Sequence, residues 1–235
     1  MRVTLVDSTT DAAEKLIFAK ATRLRMTPGG LDDIMKWDEE TKNNELRYIS
    51  KTIKSSWEFV SYSFLLEGVS RAFTHQFVRN RQGSYAQQTM RLLDASEFQY
   101  ITGPSIEKDP LLRIQYDLAM EQINNAYEDL IDGGAEIEDA RGILPTNIST
   151  NIMVKYNLRT LAELVSSRSS PRTQDEFRCV LAAMKEAVLE VHPWADMFLC
   201  DQKTSAACEL DKAIEANFIG NEKTDLIKLI DILRR

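Results

Sequence analysis

Along this chain the rhythm of apolar and polar positions changes several times, and each change predicts an element. "RVTLV" (2–6) reads as a short strand, and "DAAEKLIFAKATRLRM" (11–26) has helical spacing through Ala13, Leu16, Ile17 and Leu24. The "PGG" at 28–30 breaks that helix, and a second helical stretch runs from about Leu31 toward Ile53. In "WEFVSYSFLLEG" (57–68), Val60, Tyr62, Phe64 and Leu66 alternate with Phe59, Ser61, Ser63 and Leu65, which predicts a strand with one strongly apolar face. "SRAFTHQFVRN" (70–80) follows as a helix capped by Ser70, with Phe73, Phe77 and Val78 toward the core. Gly83 and Ser84 interrupt this pattern, so "RQGSYAQQTMR" (81–91) is expected to be a loop leaving the helix end.

The longest helix is expected between about Ile106 and Ile131, with Leu112, Tyr116, Ala119, Ile123, Ala126, Tyr127 and Leu130 on one stripe and "DGG" (132–134) as its stop. "ILPTN" reads as a turn, "TNIMVKYN" (150–157) as a strand, and "LRTLAELVSSR" (158–168) as a helix burying Leu158, Leu161, Leu164 and Val165. An amphipathic helix from Thr173 to about Val191 stops before "HPW", and "DLIKLIDILRR" (225–235) predicts another. Few strands and many helices, without regular βαβ alternation and without repeats, predict an α+β fold. We expect an antiparallel or mixed sheet flanked by several long helices, in a single domain over residues 1–235.

Composition narrows the classes. Hydrophobic residues at 43% and charged residues at 28% are ordinary for a soluble globular protein. No apolar run approaches the roughly 18–20 residues needed to span a bilayer, and "MRVTLVDSTT" has no signal-peptide core, so a cytoplasmic protein without membrane contact is expected. A pI near 5.1 argues against general nucleic-acid binding. Cys179, Cys200 and Cys208 lack C-x-x-C spacing and read as buried or incidental thiols, not a disulfide framework or zinc site. His75 and His192 are the only histidines and read as partly buried, hydrogen-bonded side chains.

Charge is distributed unevenly within a formal net charge of -7. Gly68 to Leu93 contains no carboxylate but has Arg71, Arg79, Arg81 and Arg91, a formal +4. Asn151 to Arg172 holds Lys155, Arg159, Arg168 and Arg172 against Glu163 alone, a formal +3. Such islands either pair with carboxylates elsewhere in the fold or repel one another until an anion binds between them. Arginine forks match phosphate oxygens, and the amides of Gln76, Asn80, Gln87 and Gln88 offer the paired donor and acceptor that a planar imide requires. Phosphate plus planar ring means a nucleotide. No G-x-G-x-x-G, P-loop, H-E-x-x-H or G-x-S-x-G pattern is present.

The segment "SYSFLLEGVSRAFTHQFVRNRQGSYAQQTMR" (61–91) resembles the signature region of the flavin-dependent thymidylate synthases, RHR-x-x-S-x-N-x-x-S-x-R. "ARGILPTNISTNIMVKYNLRTLAELVSSRSSPRTQDEF" (140–177) resembles that family's second block, A-R-x-x-L-P, then N-x-R-x-L, then an arginine nine residues on. Arg141, Leu144 and Pro145 fit the first element, Asn157, Arg159 and Leu161 the second, and Arg168 the third. The resemblance implies reductive methylation of dUMP to dTMP, with methylenetetrahydrofolate as carbon donor, NADPH as electron donor and FAD as relay, and with no enzyme cysteine attacking the pyrimidine. By the same resemblance Gln76, Gln87, Thr89, Arg91, Arg141 and Arg168 match dUMP-contacting positions, and Arg168 is the candidate for polarising the uracil. Ser55, Arg79, Asn80, Arg81, Asn157 and Arg159 match FAD-contacting positions, and Ser84 fits the motif's first serine. The resemblance further implies a homotetramer with shared active sites, in a bacterial cytoplasm or, if virally encoded, a host's.

Some positions depart from the family pattern. Asn80 stands for the motif's central histidine, Ala86 for its asparagine and Thr89 for its second serine. Ile53 and Phe59 occupy positions where many relatives carry histidine, and Glu163 stands where a neutral or aromatic residue is usual. Two alternatives stay open at this level. One is a divergent relative that binds FAD and a pyrimidine nucleotide but catalyses a variant reaction, such as hydroxymethyl transfer, or none. The other is a helical interaction protein whose arginines bind acidic partners.

Overall fold

Strand β1 (Arg2–Ser8) pairs antiparallel with β2 (Ser61–Ser70), the register running from Arg2 opposite Glu67 to Ser8 opposite Tyr62. A computed structural model of the chain describes residues 1–24, 29–168, 170, 172–200, 214 and 226. The expected helix over 225–235, apart from residue 226, therefore lies outside the described residues, as does Cys208. Helix α1 (Ala12–Leu24) follows β1, and the stretch predicted as one helix to Ile53 is two: α2 (Gly30–Met35) and α3 (Glu39–Ser50). The break is chemical. Asp38 accepts from the Thr41 N–H at 2.9 Å and so starts a new helix rather than continuing the old one.

β2 begins four residues later than Trp57, because Lys54–Phe59 forms a 3-10 turn. The turn carries Trp57 into the core, where its indole meets Phe198 edge-on at 4.9 Å. From Val60 the expected alternation holds: Val60, Tyr62, Phe64 and Leu66 are all fully buried. Ser70 ends β2 and caps helix α4 (Arg71–Phe77) by accepting from the Phe73 N–H at 3.0 Å. Phe73 and Phe77 are buried as expected, but Val78 is not: it lies one residue past the helix and faces out.

The segment expected to be a loop contains a strand, β3 (Ser84–Gln87), paired antiparallel with β4 (Ser149–Asn157), Tyr85 opposite Val154. Its inward positions are Tyr85 and Gln87, so no run of apolar residues announces it. β4 also pairs antiparallel with β2, giving the order β1-β2-β4-β3 with every pair antiparallel.

Between β3 and β4 lie α5 (Pro104–Glu107), α6 (Pro110–Asp132) and α7 (Ile137–Ala140), the last running into a 3-10 turn at Arg141–Ile143. Pro110 divides the long helix predicted here, since it has no N–H to give and sits at the first position after the Asp109 cap. Of the expected stripe only Tyr127 is fully buried; Leu112, Ala119, Ala126 and Leu130 are exposed. α8 (Leu158–Arg168) and α9 (Asp175–Val191) complete the set, followed by a 3-10 turn at Pro193–Met197. One cluster of buried residues joins the inner face of the sheet to α1, α3, α4, α8 and α9. Each large apolar side chain so buried contributes about 1.5–3 kcal/mol.

The turn between α4 and β3 is pinned from inside. Tyr85 reaches back with its hydroxyl to the Asn80 carbonyl at 2.6 Å and meets the Tyr156 hydroxyl at 2.7 Å. Burial raises both phenol pKa values above the ordinary range, so the two act as neutral pegs. Gly83 passes directly over this pair: a Cβ there would lie 2.3 Å from Tyr156 Cε1 and 2.8 Å from the Tyr85 hydroxyl.

Two outcomes follow from this turn. Gly83→Ala should destabilise the fold by about 1–3 kcal/mol, because the ring it strikes is buried and cannot retreat; a denaturant midpoint unchanged from the parent would contradict this. Tyr85→Phe should cost about 1–2 kcal/mol and speed amide exchange at residues 80–83, since it removes a bond and leaves the buried Tyr156 hydroxyl short of its partner.

Candidate active site

The candidate residues sit where elements begin or end. Gln76 is in the last turn of α4, and Arg79, Asn80 and Arg81 occupy the turn behind it. Asn157 ends β4 and accepts from the Thr160 N–H at 2.8 Å, opening α8, so Arg159 lies in its first turn and Arg168 at its last position. Gln87 ends β3, with Thr89 and Arg91 just beyond, and Arg141 opens a 3-10 turn.

The structure brings these residues into neighbouring groups. In one, Glu138 joins two arginines: its carboxylate accepts from Arg91 Nε at 2.8 Å and its carbonyl from Arg141 Nε at 3.1 Å. Thr89 holds the Arg91 N–H at 3.1 Å. Arg71, which no sequence pattern had singled out as a ligand, belongs here too. Its Nη2 donates to the Gln88 carbonyl at 2.5 Å, while its Nε is buried without a partner among the described residues. Burial, and then the charge of Arg141, press the Arg71 pKa down from its ordinary value. Arg71 lines a cavity of about 320 Å³ with Gln88, Thr89, Met90, Phe98 and Thr150, and the Thr150 hydroxyl is likewise buried and unpartnered.

A second group forms where α4 meets α9. Gln76 donates to Gln174 at 2.9 Å, Gln87 donates to the Thr74 hydroxyl at 2.8 Å, and the Arg168 guanidinium lies 5.3 Å over the Phe177 ring. The third group spans the turn after α4 and the start of α8. Gln82 accepts from the Thr160 hydroxyl at 3.1 Å, and Asn80 Oδ1 accepts from the Gln82 N–H at 3.1 Å, so Asn80 shapes the turn. Arg159 is held by Glu163 at 3.0 Å and Glu58 at 2.7 Å, and both carboxylates keep its pKa raised.

Ser55 stands apart. It shares the 3-10 turn with Glu58, but its hydroxyl accepts from Arg23 at 2.5 Å, and it lines a largely apolar cavity of about 690 Å³ with Phe18, Ala19 and Phe59.

Charge pairing separates the arginines. Arg91 and Arg159 have carboxylates; Arg71, Arg79, Arg81, Arg141 and Arg168 have none among the described residues. Five donors in a rigid fork, left without an anion at a protein surface, are the composition of a site for phosphate or for developing negative charge. Arg79 and Arg81 flank the turn as unpaired exposed groups, which fits a diphosphate-bearing cofactor, whereas Arg159 is already neutralised.

The remaining chemistry is bland. His75 is exposed rather than partly buried as expected, and His192 meets Tyr62 at 3.2 Å and stacks on Trp194. Cys179 is exposed and Cys200 half-buried. No group of histidine, cysteine and carboxylate side chains able to hold a metal occurs among the described residues, and no described helix is long and apolar enough to cross a membrane.

Comparison with known proteins bears on the family and the fold. The family model described as Thymidylate synthase complementing protein matches residues 4–194. The flavin-dependent thymidylate synthase of Clostridium tetani is 35% identical over 198 residues, 77% of this chain and 79% of that protein. The one from Sulfurisphaera tokodaii is 34% identical over 242 residues, covering 98% of this chain and 86% of that protein. In shape the chain is similar to a UMP/dUMP methylase, PolB from Streptomyces cacaoi, solved with 5-Br dUMP bound: TM-score 0.68 at 20% identity, over 84% of this chain and 93% of the other. The match over residues 4–194 and the identity to relatives over 79% and 86% of their lengths place this chain in the flavin-dependent thymidylate synthase family.

Proposed function

We propose that this protein methylates dUMP reductively to dTMP, with FAD as cofactor and methylenetetrahydrofolate and NADPH as co-substrates. The observation that carries the proposal is the set of guanidinium groups without carboxylate partners among the described residues, Arg71, Arg79, Arg81, Arg141 and Arg168, in a chain of net charge -7.

The dUMP phosphate belongs to the group around Arg71. An anion there supplies the missing partner of Arg71 Nε and offsets the repulsion between Arg71 and Arg141. Thr89 and Arg91 supply further donors beside it. Gln76 and Gln87 present amides to the imide edge of the uracil. Arg168, steadied over Phe177, places a fixed cation where negative charge grows on the ring as it is attacked, an arrangement that contributes several kcal/mol in a dry site.

FAD, when bound, relays the reducing equivalents of NADPH to the pyrimidine. The residues for holding it are Arg79 and Arg81 for the diphosphate, Asn80 and Asn157 for polar edges, Ser55 beyond them, and Arg159, whose charge Glu58 and Glu163 already balance. Ile53 and Phe59, where relatives have histidine, are 64% and 67% exposed, so apolar side chains stand there in place of imidazoles.

The same reading includes a homotetramer with shared sites. Its support is apolar surface that one chain leaves in water: Leu111 at 73%, Ile114 and Leu118 on α6, and Leu92 at 74% beside the arginine segment. Subunits joined there would bring the groups of different chains together.

Purified protein should be yellow, and dUMP incubated with NADPH and methylenetetrahydrofolate should yield dTMP by mass; recovery of unchanged dUMP, or a hydroxymethylated product, would reject the synthase assignment. Arg168→Ala should lower turnover about 10²–10³-fold with the fold retained, and a variant as active as the parent would remove Arg168 from the chemistry.

A further inference from the structure

The first turn of α9 carries no candidate ligand, yet it grips the elements that do. Glu176 Oε1 accepts from the Ser70 backbone N–H at 2.6 Å and Oε2 from the Ser70 hydroxyl at 2.6 Å. Ser70 is 2% exposed and caps α4, so this carboxylate fixes the origin of the helix that presents Gln76. Two residues earlier, Gln174 Oε1 accepts from Gln76 Nε2 at 2.9 Å, and Gln174 Nε2 lies 3.5 Å from Glu176. One residue later, Phe177 packs edge-on against Phe73 at 5.1 Å and Phe77 at 5.8 Å while Arg168 lies over its face.

We infer that Gln174 and Glu176 are positioning residues that set Gln76 and Arg168 against the same pyrimidine; the inference rests on the dUMP reading above. Gln76 leaves α4 and Arg168 ends α8, elements far apart in sequence, and α9 is the body touching both. A bidentate carboxylate defines direction as well as distance, which a single neutral bond does not. Misplacement of a reacting group by about 1 Å can cost 10²-fold in rate, so a clamp of this kind acts on catalysis without touching substrate. The Glu176 carboxylate, which only accepts, takes Gln174 Nε2 and so turns Gln174 Oε1 toward Gln76 Nε2; Gln76 then offers its carbonyl to the nucleotide, the group that accepts from an imide N–H.

The test uses the flavin-loaded protein, with dUMP as the probe in calorimetry and in steady-state turnover. Gln174→Ala frees the Gln76 amide to flip and should raise the dUMP KM about tenfold, with a smaller change in kcat. Glu176→Ala should lower kcat at saturating dUMP at least tenfold, and Glu176→Gln, which keeps an acceptor for the Ser70 N–H, should recover most of it. Those results, with flavin content and Tm of Gln174→Ala close to the parent, support the assignment. It is overturned if Gln174→Ala leaves KM and kcat unchanged in a parent that converts dUMP, or if the losses in Glu176→Ala follow its Tm and flavin content alone, with Glu176→Gln no better. A parent that binds no dUMP overturns the nucleotide reading and this inference with it.

Discussion

Pairing of β2 with β4 is the constraint on which the candidate site depends. The two strands run antiparallel from Ser61 opposite Asn157 to Ser70 opposite Ser149, with an irregularity between Leu66 and Val69. One end of this ladder releases α4 from β2 and receives β4; the other end releases α8. Side-chain period fixes the register, because a slip of one residue would turn either Tyr62 and Phe64 of β2 or Ile152, Val154 and Tyr156 of β4 outward. Every arginine group described here hangs from the ends of that ladder or from β3 on its far side. The core therefore determines the site's dimensions although it contributes little of its chemistry.

From this frame follows a division of labour among the polar residues. Arginines with carboxylates brace structure: Arg159 ties the start of α8 to the 3-10 turn through Glu58, and Arg91 ties the end of the arginine segment to α7 through Glu138. Arginines without them among the described residues are the ones the proposed ligands would meet. Exposed pairs of this sort add little to stability, so the bracing role is one of geometry. Tyr85 and Tyr156 act similarly inside the turn after α4, holding the backbone at Asn80 while the flanking guanidinium groups stay free.

Much of this was legible in the sequence, for physical reasons that can be named. β2 and β4 alternate, and α4, α8 and α9 carry apolar positions at helical spacing that do enter the core. β3 was hidden because Ser84, Tyr85, Ala86 and Gln87 have no apolar run and the segment owes its extended form to an edge pairing with β4. The stripe on α6 is real in the sequence but turns mostly to the outside of one chain, so periodicity marked a face without telling what covers it. The candidate residues were visible as types and through likeness to a family. Their partners were not: Glu138, Glu58 and Glu176 lie far in sequence from Arg91, Arg159 and Ser70, the residues they hold, and no spacing rule links them.

The segregation of unpaired arginines within an acidic chain also shapes how a nucleotide arrives. At long range a dianion meets a protein of net charge -7 and is repelled; attraction takes over only within reach of the arginine groups. Physiological salt screens charges beyond about 8 Å, which removes the distant repulsion, while half-buried groups such as Arg71 are screened less. Encounter is thus a short-range event, tolerant of ionic strength over a range in which a uniformly basic protein would release its ligand. Selection among anions falls to the fit of the pocket rather than to the field of the whole molecule.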